Sequence, residues 1–245
     1  MLIEQTITKL NQMKLYGMVK AVTERLGEPG IQDLSVSEFL GLVVDEEYLD
    51  RENRRMSARL RGAKFKDQAS LENIDYRADR SLKKAQMLEL SNLDWITKKQ
   101  NVAFTGPSGV GKSYLAQALG NAACRRGHRV SYWRLPKLVT ALEQVRANGT
   151  YAQFLARLVK ANVLILDDLA VGELKDTERR DLLEIIEDRY SVGSTVITSQ
   201  LHTKDWHAYF GGGRLADSIC DRLVHNCHRI ELTGPSERKG RAKLD

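Results

Sequence analysis

The chain has 245 residues, 42% hydrophobic and 29% charged, which excludes a disordered polymer and allows one α/β domain with a smaller appendage. Lys and Arg outnumber Asp and Glu by 38 to 32, for a net charge of +6 and a pI near 9.2, a mild lean toward polyanionic partners. The sequence has neither a run of about 18 apolar residues nor a basic start followed by an apolar stretch, so a cytoplasmic protein with no membrane span is expected.

Apolar residues at Ile3, Ile7, Leu10, Met18, Val22 and Leu26 recur at helical steps, and the run predicts a helix that the "GEPG" at 27–30 breaks. A second helix is predicted from "SVSEF", where Ser35 followed by Glu38 has the spacing of a capping box. Its first half is apolar and its second half basic. Residues 51–66 carry Arg51, Arg54, Arg55, Arg59, Arg61, Lys64 and Lys66 against the single acid Glu52, a local charge equal to that of the whole chain. Such a run suits either a solvated helix face or contact with nucleic-acid phosphates. The closing "SERKGRAKLD" is basic as well. These features outline a helical N-terminal region for DNA or partner binding over 1–66, followed by a linker with one short helix over 67–94.

From residue 95 the pattern changes. Strand-like runs at 101–104, 128–133, 162–166, 194–198 and 228–232 alternate with helical stretches, which predicts a five-stranded parallel sheet covered on both faces. The three tryptophans, Trp95, Trp133 and Trp206, are expected to pack, and Cys124, Cys220 and Cys227, with no C-x-x-C pair, read as reduced thiols. No internal repeat is present.

Directly after the first strand, "GPSGVGKS" fits the phosphate-loop pattern G-x-x-x-x-G-K-[ST]. The candidate nucleotide-binding run comprises Gly106, Pro107, Ser108, Gly109, Val110, Gly111, Lys112, Ser113 and Tyr114. Its glycines let backbone N–H groups converge on one phosphate, and the helix that follows adds the positive end of its dipole. Lys112 is placed to reach the β- and γ-phosphates and Ser113 to ligate Mg²⁺. The strand "NVLILDDL" ends in paired carboxylates, Asp167 to hold Mg²⁺ through water and Asp168 to orient or deprotonate an attacking water. "VITSQ" brings Ser199 and Gln200 to the same edge of the sheet. "LADSICDRL" places Arg222 on a helix, either as half of a surface ion pair or as a cation for a neighbour's transition state.

Together the phosphate loop, "LILDDL", "VITSQ" and the block "LADSICDRLVHNCHRIEL" resemble the AAA+ ATPases of the helicase-loader clade. Within that clade they resemble the IstB family, the ATP-dependent helpers of insertion-sequence transposases, to which DnaC is related. The resemblance extends over nearly the whole chain. It implies an AAA+ sheet sandwiched by helices over 95–245, preceded by a small helical domain. By position, Lys112 and Ser113 would be Walker A residues, Asp167 and Asp168 the Walker B pair, Gln200 sensor one and Arg222 the arginine finger acting in trans. It also implies ATP and Mg²⁺ as cofactors, self-assembly on duplex DNA with active sites between subunits, and cooperation with a transposase. The segment before the core would lie by the adenine, with Tyr76 of "NIDYR" able to stack. Three departures accompany the likeness: Asp168 stands where Glu is commoner, which fits slow hydrolysis stimulated by assembly, DNA or the transposase. Gln200 replaces the commoner Asn. Residues 233–245 are too few for a helical lid, leaving Arg238 as the stand-in for sensor two. A helicase loader, a P-loop small-molecule kinase and a nucleotide-dependent scaffold remain as alternatives.

Overall fold

The apolar stripe at residues 3–26 is two helices, not one: α1 (Ile3–Gln12) and α2 (Tyr16–Arg25). Lys14 takes a left-handed φ of 59°, and the N–H of Leu15 reaches back to the carbonyl of Leu10, a Schellman-type ending that a period-based reading does not register. α3 (Val36–Ala63) starts as expected, with the N–H of Ser35 donating to the Glu38 carboxylate and the N–H of Glu38 to the Ser35 hydroxyl. This computed structural model describes residues 3–27, 33–76 and 81–236. Its two compact units, Met1–Ala58 and Arg59–Asp245, divide within α3.

In the first unit Ala21, Val22 and Val43 form a small core with Ile7, Met18 and Phe39 against it. The side chain of Glu47, buried on α3, supplies the missing N-cap of α2: its Oε2 accepts the N–H of Gly17 at 2.7 Å and that of Met18 at 3.3 Å. Burial alone would raise the pKa of this carboxyl, but the Arg51 guanidinium and the two N–H groups hold it below the ordinary range. A Cβ at position 17 would meet the backbone of Glu46 and Glu47 at about 2.5 Å, so only glycine admits this approach.

In the second unit β1 (Asn101–Thr105), β2 (Val130–Arg134), β3 (Val163–Leu169), β4 (Ser194–Ser199) and β5 (Cys227–Glu231) form a parallel sheet in the order β2-β3-β4-β1-β5. Successive side chains alternate between faces. Val102, Phe104, Val163, Ile165 and Val196 join one core; Ala103, Leu164, Leu166 and Ile197 join the other. The first core is completed by α6 (Lys112–Arg125) and by residues 60–76 and 81–97. These residues hold α4 (Lys84–Ser91) and α5 (Asp94–Thr97). Ile74, Leu82, Met87 and Leu90 are buried there, so the stretch read as linker is part of the core of the second unit. The second core lies under α7 (Leu135–Ala147), α8 (Tyr151–Val159), α9 (Asp176–Arg189), α10 (Trp206–Tyr209) and α11 (Gly213–Val224). The sequence analysis does not separate α8, a nine-residue helix that buries Phe154, Leu155 and Leu158. No helix follows β5 among the described residues, and no helix is long and apolar enough to cross a membrane.

Candidate nucleotide site

The C-terminal ends of β1, β3 and β4 converge on one pocket of about 320 Å³. Such an edge is where a parallel α/β sheet offers loops and helix N-termini to a ligand. The phosphate loop leaves β1 at Gly106, whose φ of 136° and whose distance of 2.1 Å from a would-be Cβ to the Leu232 carbonyl oxygen admit glycine alone. Ser108, Gly109, Gly111, Lys112, Ser113 and Tyr114 line the pocket. Gly106 and Pro107 shape the loop from behind, and Val110 turns into the core. Lys112 Nζ donates to the carbonyls of Gly106 (2.8 Å) and Pro107 (2.7 Å), so the ammonium sits within the curl of its own loop at the start of α6.

Asp167 is 2% exposed and is held, among the described residues, by three hydroxyls. Ser113 Oγ donates to its Oδ1 at 2.7 Å, Thr198 Oγ1 to the same oxygen at 2.5 Å, and Tyr132 Oη to Oδ2 at 2.6 Å. Burial, with the bond to Asp167, pushes the Tyr132 phenol far above its ordinary range, so it remains a donor. No Lys or Arg among the described residues forms an ion pair with Asp167. A buried carboxylate beside a serine hydroxyl, with no cation of its own, is an oxygen-donor set that suits Mg²⁺.

Asp168 adopts a left-handed φ of 61°, and the β3–β4 register shifts between Leu166 and Leu169. This conformation costs an L-residue roughly 1–2 kcal/mol, less for the short polar side chain of Asp. The irregularity aims the carboxylate into the pocket, where Arg134 Nε donates to its Oδ2 at 2.7 Å and its own N–H donates to Thr198 Oγ1 at 3.0 Å. Ser199, whose hydroxyl donates to the Leu169 carbonyl at 3.1 Å, and Gln200 line the pocket from β4.

The opposite wall is Lys66, Asp67, Asn73, Ile74 and Asp75. It is tied to α6 by the fully buried Gln117, whose Oε1 accepts the N–H groups of Lys66 (2.7 Å) and Asp67 (2.9 Å) and whose Nε2 donates to Asp67 Oδ2 (3.1 Å) and to the Ser113 carbonyl (3.1 Å). Tyr76 does not line the pocket; its ring packs against the first core, and it is Asn73 to Asp75 that face the cavity. Arg238 lies outside the described residues.

Arg222 is elsewhere. The Asn101 amide, at the start of β1, donates to the Arg222 carbonyl at 2.9 Å, which puts this arginine at the opposite edge of the sheet from the phosphate loop. Its guanidinium donates to the Ser218 carbonyl at 3.0 Å and pairs with Glu187 at 2.9 Å. The basic run is not one uniform face either. Arg51 pairs with Glu47, Arg54 with Asp50 and Arg55 with Glu52, while Arg59 caps the carbonyl of Cys124 near the end of α6 at 2.8 Å. Lys66 borders the nucleotide pocket, and Arg61 and Lys64 are exposed.

The family model for IstB-like ATP-binding proteins of the IS21 type matches residues 8–244. The chain belongs to this family. An insertion-sequence ATP-binding protein of Sinorhizobium fredii is 46% identical over 99% of both chains, and one from an insertion sequence of Mycobacterium tuberculosis is 36% identical over 94% of this chain and 92% of its own. Among solved structures, the DnaC helicase loader superposes with a TM-score of 0.57 at 22% identity, covering 67% of this chain and 97% of the loader. AMPPCP-bound DnaA from Aquifex aeolicus gives 0.60 at 22% identity over 69% of this chain and 51% of its own. The fold is that of the AAA+ ATPases, with the helical unit preceding it. Arg134, Tyr132, Thr198 and Gln117 were not singled out from the sequence. The first and third sit where "SYWR" and "VITS" end strands, which is the signal that marks them.

Proposed function

We propose that this IstB-like protein hydrolyses ATP, with Mg²⁺, as an assembly on duplex DNA that assists a transposase at its target site in the cytoplasm. The observation that carries the reading is the Ser113–Asp167 bond inside a pocket that also holds Lys112 and Asp168. A hydroxyl and a carboxylate able to share one hard cation stand beside a lysine and a second carboxylate, the parts a phosphoryl-transfer site needs. Lys112 and the loop N–H groups bind the phosphates, Ser113 and Asp167 hold the metal, and Asp168 orients the attacking water and accepts its proton. Gln200 stands at the γ-phosphate end. When bound there, Mg²⁺ would lend electrophilic help to the phosphoryl group. Residues 67–94 serve as the base-side wall of the domain over 95–245, and residues 1–66 serve DNA and partner contact.

Because Arg222 lies at the far edge of its own sheet, its service to a nucleotide requires another subunit, which makes assembly part of the chemistry. Sedimentation with a duplex several helical turns long, without nucleotide, with ATP and with a non-hydrolysable analogue, tests this. A large complex only when duplex and nucleotide are both present is expected. A monomer indifferent to both would remove the assembly, and transfer of labelled phosphate to an acceptor rather than to water would make the site a kinase.

A further inference from the structure

A second cavity, of about 270 Å³, opens at the N-terminal edge of the sheet, where Asn101 begins β1 and Thr195 lies near the start of β4. Four cationic side chains line it, Lys98, Lys99, Arg189 and Arg222, and no acidic one does. Lys98 and Lys99 make no ion pair among the described residues. Arg189 is 1% exposed and has no carboxylate partner among them. Its Nη1 donates to the carbonyls of Leu158 (2.6 Å) and Ala161 (2.8 Å), its Nη2 donates to that of Ser194 (2.6 Å), and its Nε has no partner. Burial lowers its pKa to about 10, which still leaves it charged at neutral pH.

Capping three carbonyls calls for N–H donors, not for a full charge. A guanidinium buried without a counter-ion is costly in a medium of low dielectric, and the positive potential it projects into the adjoining cavity is weakly screened. The arrangement therefore suits an anion that arrives from outside. The rim narrows the choice of source. Tyr190 lines it and is 52% exposed, and an aromatic contact of this kind fits a protein surface rather than a bare polyanion. The cavity is also concave, whereas a duplex backbone presents its phosphates as an extended row.

We propose that this cavity receives the terminal phosphates of the nucleotide bound by a second copy of this chain, with Lys98 and Lys99 contacting them beside Arg222 and Arg189 supplying a fixed positive charge from beneath. The inference rests on the reading of Arg222 as a residue that serves a neighbour's nucleotide. It extends that role from one arginine to a four-cation socket, and it gives the contact a head-to-tail sense, since the phosphate loop and the socket lie at opposite edges of one sheet. On docking, Arg222 exchanges the Glu187 carboxylate for a phosphate.

The test is phosphate release by the double variant Lys98→Ala/Lys99→Ala, measured beside Arg222→Ala and beside the charge-conserving Lys98→Arg/Lys99→Arg, with ATP binding followed by a fluorescent analogue. The alanine pair is expected to bind nucleotide normally and to lose turnover by ~10-fold or more, as removal of transition-state contacts does. The arginine pair is expected to keep most of it. Mixing the alanine pair with Asp168→Asn copies, which have an intact socket, restores turnover if the lysines act across the interface. Full turnover by the alanine pair while Arg222→Ala is impaired overturns the proposal and leaves the trans role of Arg222 standing. Full turnover by Arg222→Ala overturns both. A loss that mixing does not restore assigns the lysines to their own subunit, and a loss accompanied by weaker binding of duplex in the absence of nucleotide assigns the cavity to DNA; either result overturns the proposal.

Discussion

Arg134 and Asp168, at the C-terminal ends of neighbouring strands β2 and β3, are joined by a hydrogen bond of 2.7 Å between Nε and Oδ2. The same bond raises the Arg134 pKa. The guanidinium occupies an oxygen of the carboxylate that would otherwise face water, so the pair restrains the residue proposed to take the proton.

Arg134→Ala is accordingly expected to raise the basal rate of phosphate release by unassembled protein, by roughly threefold to tenfold, since the orientation of a general base contributes at that scale. An unchanged or lower basal rate would mean the pairing does not hold Asp168 back.

Lys112→Ala is expected to abolish ATP-dependent assembly on duplex, because the ammonium is the only side-chain cation within the curl of the phosphate loop among the described residues. Sedimentation of the variant with ATP and duplex gives the answer, and a normal complex would contradict the nucleotide switch.

Asp167→Asn is nearly isosteric and keeps an acceptor for Ser113 and Thr198, but it removes the charge that a cation requires. Nucleotide binding measured with and without Mg²⁺ should lose its Mg²⁺ dependence while the thermal transition moves little. Retained dependence would place the metal elsewhere.

Gln117→Ala deletes four hydrogen bonds made by a fully buried amide and should destabilise the second unit by about 1–3 kcal/mol. Because the residues it releases wall the pocket, nucleotide affinity should fall in parallel. Gln117→Glu keeps both acceptor bonds but sets a carboxylate against Asp67, and it should recover part of the stability. Calorimetry and nucleotide titration on both variants separate the two effects.

Glu47 is held below its ordinary pKa of 4.5 in the folded chain. A depressed carboxyl contributes stability that is fully present above the unfolded pKa and is lost as pH falls through the folded one. The helical signal of the first unit is therefore expected to decline below pH 4.5, and Glu47→Gln should flatten that decline. An identical acid transition in the variant would assign it to other carboxyls.

Several elements were legible from the chain because their causes are local. The phosphate loop is a contiguous run whose glycines state its conformation, and the Ser35–Glu38 cap closes within one turn. The central strands β1, β3 and β4 carry the apolar runs that burial on both faces demands. Other features depend on which strands become neighbours. Nothing near "SYWR" says that Arg134 will face Asp168, or that Tyr132 and Thr198 will reach Asp167 from either side, until the order β2-β3-β4 is set. The Lys14 break was hidden because its neighbours keep the helical period on both sides of it.

What the sequence by itself determined is the local chemistry: a loop that curls around an anion, carboxylates at the end of an apolar strand, and the IstB-like family that these motifs mark. Tertiary structure alone decided which of those groups meet. Parallel pairing brought Ser113 and Asp167 within 2.7 Å and carried Arg222 to the opposite edge. A β-strand sends its ends in opposite directions, so residues on one sheet become companions or strangers according to the edge at which they emerge.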